Sequence, residues 1–170
     1  MKPRLVTPPT GPFISLEEAK KQARVFFDDD DAYIETLIAA ACGHLDGYHG
    51  VLGRCVLEQT WQWSSECRGR DIRTLFTDTT AATVTSDGDP VEATFDADHI
   101  YFVDYPNGSV ICQTTHAAPD HMLPMIKQAA LTLVAHWWMN RTPVTVGNVT
   151  NVPWTFEAII SPLRVGVYAW

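Results

Sequence analysis

The sequence predicts a mainly helical domain, α+β overall, in which four helices carry an antiparallel β-hairpin subdomain inserted between the second and the third. Three observations carry this expectation. Four segments repeat apolar residues at i, i+3, i+4 and i+7, the spacing that gathers them on one face of a helix. Residues 54–115 switch to β-branched and aromatic residues broken by turn signals. The chain has 170 residues, enough for one domain to bury roughly two-thirds of its unfolded surface, so a core can form without disulfide or metal staples.

Taken in order, residues 1–13 contain four prolines and read as an extended N-terminal arm. Residues 14–53 hold the first two helices. Ser15-Leu-Glu-Glu18 is a capping box, after which Leu16, Ala19, Ala23 and Phe26 share a face. In the second helix Ile34, Leu37, Ile38, Ala41, Leu45 and Tyr48 form the apolar stripe, and Gly47 or Gly50 supplies the stop. Residues 54–117 are the β insert. Its first strand is 55–63, with Trp61 and Trp63 on one side by the period-two rule. Ser86-Asp-Gly-Asp-Pro90 marks a turn, and Asn107-Gly108 predicts a type I′ hairpin between the segments on either side of it. The third helix, within 118–142, has Pro124 near its first turn and is apolar nearly all round, the pattern of a helix central to a core or an oligomer interface. Residues 143–170 comprise a polar, β-branched linker, a short helix with Phe156, Ile159, Ile160 and Leu163 on one stripe, and a tail.

Composition narrows the function. A net charge of −8 and a pI near 5.0 argue against a general nucleic-acid-binding surface, which needs clustered Lys and Arg to release counterions from phosphates. An acidic surface is compatible with letting DNA slide past without sticking. The four cysteines are widely separated and form no C-x-x-C pair, so neither a zinc knuckle nor a dithiol site is indicated. The N-terminus lacks the apolar run of a secretory signal, and the most apolar stretch, 130–139, is about half the ~20 residues a membrane span requires.

Four groups of residues carry candidate site chemistry. Asp28, Asp29, Asp30 and Asp31 precede the second helix, where Asp30 or Asp31 serves as N-cap and the helix dipole favours negative charge. The run lacks the alternating acidic spacing and central Gly of a calcium loop. Trp61 and Trp63 raise a carbohydrate- or base-stacking platform, but without the polar or basic neighbours such platforms use. His116, Asp120 and His121 raise a metal-dependent hydrolase, without the one-face geometry of two histidines four apart on a helix. His136 has no nucleophile or carboxylate at helical spacing to act with. No catalytic, metal or cofactor residue is assigned.

The order of segments resembles a known family. ISLEEAK is followed by an acidic D-D-x-x-I-x-x-L-I-x-A-A helix reaching L-x-x-Y-x-G, a strand opening with T-W, and a β insert. Then come I-K-Q-A-x-L-x-L-V-A-H-W-x-x-N-R and P-x-x-x-x-A-I-I-x-P-x-R. Together these resemble the head-tail connector (adaptor) proteins of long-tailed double-stranded DNA bacteriophages and gene transfer agents, over residues 14–164. The resemblance implies a non-enzymatic virion protein without a cofactor, forming a ring of about twelve copies. It implies a place in the neck of a phage or phage-like particle assembled in the host bacterial cytoplasm. There the ring would dock beneath the portal, contact a stopper or other neck or tail protein, and surround DNA that passes without sequence-specific binding. It implies no membrane association. Contacts with the portal or a neighbouring copy are expected at Trp154, Phe156, Ile159, Ile160, Leu163 and Arg164, and at Tyr168 and Trp170 in the tail. Asp28 to Asp31 are expected to face the channel. A stopper or tail terminator is the nearest alternative.

Overall fold

The computed structural model describes residues 2–67, 69–104, 106, 108–141 and 154–165, without the side chain of Trp154. Tyr168, Trp170, Asn107 and the linker 142–153 lie outside the described residues. About 35% of the described chain is helical and 29% strand, in two antiparallel sheets and four α-helices. This corrects the expectation of a mainly helical fold. The helices fall where the periodicity puts them, except that the first ends at Ala23 and leaves Phe26 exposed, and the insert carries far more strand than a hairpin.

In chain order the elements are β1 (Arg4–Thr7), α1 (Leu16–Ala23), α2 (Asp31–Leu45), β2 (Gln59–Cys67), β3 (Asp71–Arg73), β4 (Thr79–Ser86), β5 (Asp89–Val91), β6 (Ala93–Phe95), β7 (His99–Phe102), β8 (Gly108–His116), α3 (Leu123–Met139) and α4 (Trp154–Ile160). They fall into two compact units. A β unit takes Met1–Thr10 with Leu57–Pro119, and a helical unit takes Gly11–Val56 with Asp120–Trp170.

In the β unit one sheet has the order β1-β2-β8-β4-β5 and the other β3-β7-β6. Alternate residues of β2 and β8 point inward. Trp63, Cys67, Val110 and Cys112 thereby join Ile72, Val84, Ile100 and Phe102 in one core. Asp87-Gly88, with φ of 52° and 96°, makes the tight β4–β5 hairpin turn. The hairpin expected at Asn107-Gly108 does not form, because β7 pairs with β3 and β6 while β8 pairs with β2 and β4, so that stretch carries the chain from one sheet to the other. The expected N-terminal arm contributes β1, an edge strand antiparallel to β2. Its flanking prolines disguise it in sequence, and an edge is where a sheet tolerates them.

In the helical unit, the Ser15 Oγ accepts from the Glu18 N–H (3.1 Å) and the Ser15 N–H donates to Glu18 Oε2 (2.8 Å), completing the capping box of α1. On α2, Ile34, Leu37, Ile38, Ala41 and Leu45 are buried as the stripe predicts. Tyr48 is exposed, because α2 ends at Asp46 and Gly47, at φ 72°, turns the chain away. A Cβ at Gly50 would collide with the carbonyl oxygens of Leu45 and Asp46, so that turn requires glycine. α3 packs against α1, α2 and α4, burying Ile126, Ala129, Ala130, Leu133 and Val134.

Candidate functional site

The aspartate run is a junction of ion pairs. Asp30 occupies the N-cap position of α2, yet its side chain makes no capping bond. Instead Asp30 Oδ2 meets Arg141 at 3.2 Å, and Asp28 and Asp31 both hold the Lys20 ammonium, at 2.6 and 2.7 Å. The hydrogen bond donated by Lys20 holds the Asp28 carboxyl below its ordinary range, and donating to Asp28 and Asp31 raises the pKa of the Lys20 ammonium. Asp29 alone of the four makes no ion pair or hydrogen bond among the described residues. Arg141 also lies over Trp138 (4.0 Å to the ring centroid) and Tyr33 (5.0 Å), so one guanidinium joins the start of α2 to the end of α3 through charge and aromatic contact. Two cations thus offset half of the run's four formal charges.

The residues expected to meet a partner are distributed unevenly. Phe156, Ile160 and Leu163 are buried within the helical unit, and Ile159 is half-buried. Arg164 is exposed and pairs with Glu157 at 3.3 Å. The Val165 N–H donates to the Leu52 carbonyl (3.0 Å).

In the β unit the two tryptophans have internal partners. Trp63 is buried and its Nε1 donates to Thr114 Oγ1 at 3.3 Å; Trp61 packs edge-on to Phe76, with ring centroids 5.5 Å apart. His116 is fully buried, with Nε2 at 2.7 Å from Thr114 Oγ1 and Nδ1 at 3.3 Å from Thr79 Oγ1. Burial lowers its pKa to about 4, against a smaller opposing effect of a hydrogen bond to Thr77, so at neutral pH it is an uncharged core residue. Among the described residues, the group of His, Cys or carboxylate side chains close enough to share an ion is Asp96, Asp98 and His99, not His116 with Asp120 and His121. The oxygens of Asp96 already accept from the Asp98 and His99 N–H groups and the Tyr101 hydroxyl, which tie the β6–β7 loop. The four cysteines are buried, and burial raises the thiols of Cys42, Cys67 and Cys112, the last to about 12, far from the thiolate a nucleophile needs.

What sequence reading missed is the contrast between the two edges of the five-stranded sheet. β1 carries exposed Leu5 (38%) and Val6 (45%), with exposed Lys2 and Arg4 beside them. At the other edge Asp87, Asp89 and Glu92 are exposed. None of these five charged side chains has a partner among the described residues. A signal existed: from Arg73 to Lys127 the chain has eight carboxylates and no intervening Lys or Arg.

No protein-family model and no curated protein matches the chain. Solved structures do, and three of them align over nearly its whole length. A chain in the neck of an empty GTA particle with C6 symmetry aligns with a TM-score of 0.71 and 15% identity, covering 96% of this chain and 95% of that one. A chain of the virion of a native gene transfer agent (GTA) particle gives 0.66 and 17%, over 96% and 95%. One in the neck of a native GTA particle with C12 symmetry gives 0.61 and 15%, over 95% and 94%. This chain therefore shares its complete fold, both units included, with chains of GTA neck and virion assemblies.

Proposed function

We propose that this chain is a structural neck protein, a head-tail connector (adaptor) that forms a ring of about twelve copies beneath the portal and surrounds the DNA channel. The observation that carries the reading is the match in fold, across 96% and 95% of the chain, to neck chains of GTA particles with sixfold and twelvefold symmetry. It agrees with the sequence resemblance over residues 14–164. The role is mechanical: the chain joins head to tail, and the portal and the next neck protein are its partners. No side-chain cluster among the described residues is poised for bond-making, with the His116 nitrogens hydrogen-bonded in the core and three of the thiols shifted upward.

Portal contact is assigned to Tyr168 and Trp170 together with Arg164 and Ile159; Phe156, Ile160 and Leu163 anchor this end of the chain within the helical core. Asp28 to Asp31 remain the proposed channel-facing run, with Asp29 supplying its uncompensated charge. Negative-stain imaging of the protein mixed with its cognate portal tests the reading. A ring on the narrow end of the portal is expected, and a chain that binds only isolated tails or completed necks is a stopper or tail terminator instead. Ending the chain after Val165 keeps Leu163 and the Val165–Leu52 bond, so folding should persist while portal binding is lost.

A further inference from the structure

The two outer edges of the five-stranded sheet are opposite in charge and in hydrogen-bonding character. At β1, Lys2 and Arg4 are exposed beside Leu5 and Val6, and no strand covers this edge. At β5, Asp87, Asp89 and Glu92 are exposed. The two-residue turn at Asp87-Gly88 makes Ser86 and Asp89 the closing pair of the hairpin, so the backbone groups of Pro90 point outward. Proline has no N–H, so at this position the edge accepts hydrogen bonds and donates none.

The edges lie four strand spacings apart, on the order of 19 Å. That is about twice the ~8 Å screening length at physiological salt, so the cations of one edge leave the carboxylates of the other uncompensated. Pairing like edges of two copies would bring Lys2 and Arg4 against themselves, or three carboxylates against three, with Pro90 blocking a ladder in the second case. Unlike edges are complementary on both counts.

We propose that adjacent copies meet head to tail through this sheet, the Lys2–Thr7 edge of one against the Asp87–Glu92 edge of the next. The proposal rests on the ring reading above and names one of the contacts that builds it. The β1 strand turns its free backbone side toward an edge that at Pro90 can only accept, and Lys2 and Arg4 face Asp87, Asp89 and Glu92. A contact between different patches repeats around an axis until the rotation closes it, which gives a ring rather than a dimer. The prolines at 3, 8 and 9 limit the added pairing to a few residues. The contact is weak alone and gains strength through closure.

The test uses full-length variants of unchanged circular dichroism and melting temperature, examined by sedimentation velocity and negative-stain imaging, alone and with the portal. K2E/R4E places acid against acid, and D87K/D89K/E92K places base against base. Each should raise the concentration for half-maximal ring formation by at least about tenfold. All five substitutions in one chain should restore it, and K21E/R24E, an equal change of charge elsewhere, should leave it unaltered. Wild-type rings that survive both edge variants, or that the fivefold variant fails to recover, overturn the edge contact while the connector reading stands. Wild-type protein that makes no ring in either setting overturns both.

Discussion

The buried imidazole of His116 makes stability a function of pH in a window where most surface carboxylates remain ionised. The side chain is fully buried, flanked by the Phe76 ring at 5.2 Å and by Thr114 and Thr79. Its pKa falls from 6.5 to about 4 on folding. Because the folded value is the lower one, the unfolded chain binds more protons between these limits, and stability is intact above pH 6.5 and lost as the pH falls toward 4. At about 1.36 kcal/mol per pH unit, the loss at this site approaches ~3 kcal/mol. That is a large part of the 5–15 kcal/mol typical of a domain. Urea unfolding at pH 7, 5.5 and 4.5, followed by tryptophan emission, should show the midpoint falling most steeply between the last two. His116→Gln keeps an amide able to bond Thr114 but cannot ionise. It should be less stable at pH 7 yet nearly flat over the same range, and subtracting its profile removes the contribution of every other group. A His116→Gln profile as steep as that of the wild type would refute the assignment.

Other consequences are local. Arg141→Ala should cost about 1–2 kcal/mol through loss of the Trp138 and Tyr33 contacts and the Asp30 ion pair, and Arg141→Lys should recover only part, since a lysine stacks poorly; chemical denaturation of both variants checks this. Ser15→Ala removes the reciprocal cap of α1 and should lower stability by ~1 kcal/mol by the same measurement. Gly50→Ala should be worse than any surface substitution, lowering the melting temperature of the helical unit, because the added methyl meets backbone that cannot rotate away.

Legibility in the sequence followed the range of the interaction. The α1 cap and the α2 stripe were readable because their partners lie within one or two helical turns. Tyr48 failed because the periodic pattern continues past Asp46 while the backbone, turning at Gly47, does not. Local rules leave Asp30 or Asp31 as the N-cap; Asp30 holds that position, but its carboxylate is claimed by Arg141, 111 residues away, and no local rule reveals such a partner. β1 was hidden for the same reason: its four residues gain their conformation from β2, more than fifty residues on, and the prolines around them signal irregular chain. The Asn107-Gly108 turn was misread because its chemistry permits a hairpin without deciding which strands pair. Of the candidate interaction surface, the buried face of α4 was legible as an apolar stripe, whereas the opposed sheet edges needed the strand order to bring distant charges into one frame.

The most direct test of the central claim is particle assembly without this polypeptide. Electron microscopy of lysates from producing cells lacking the chain should show DNA-filled heads and separate tails, with joining restored when the chain is supplied. Intact, tailed particles formed in its absence would contradict the account.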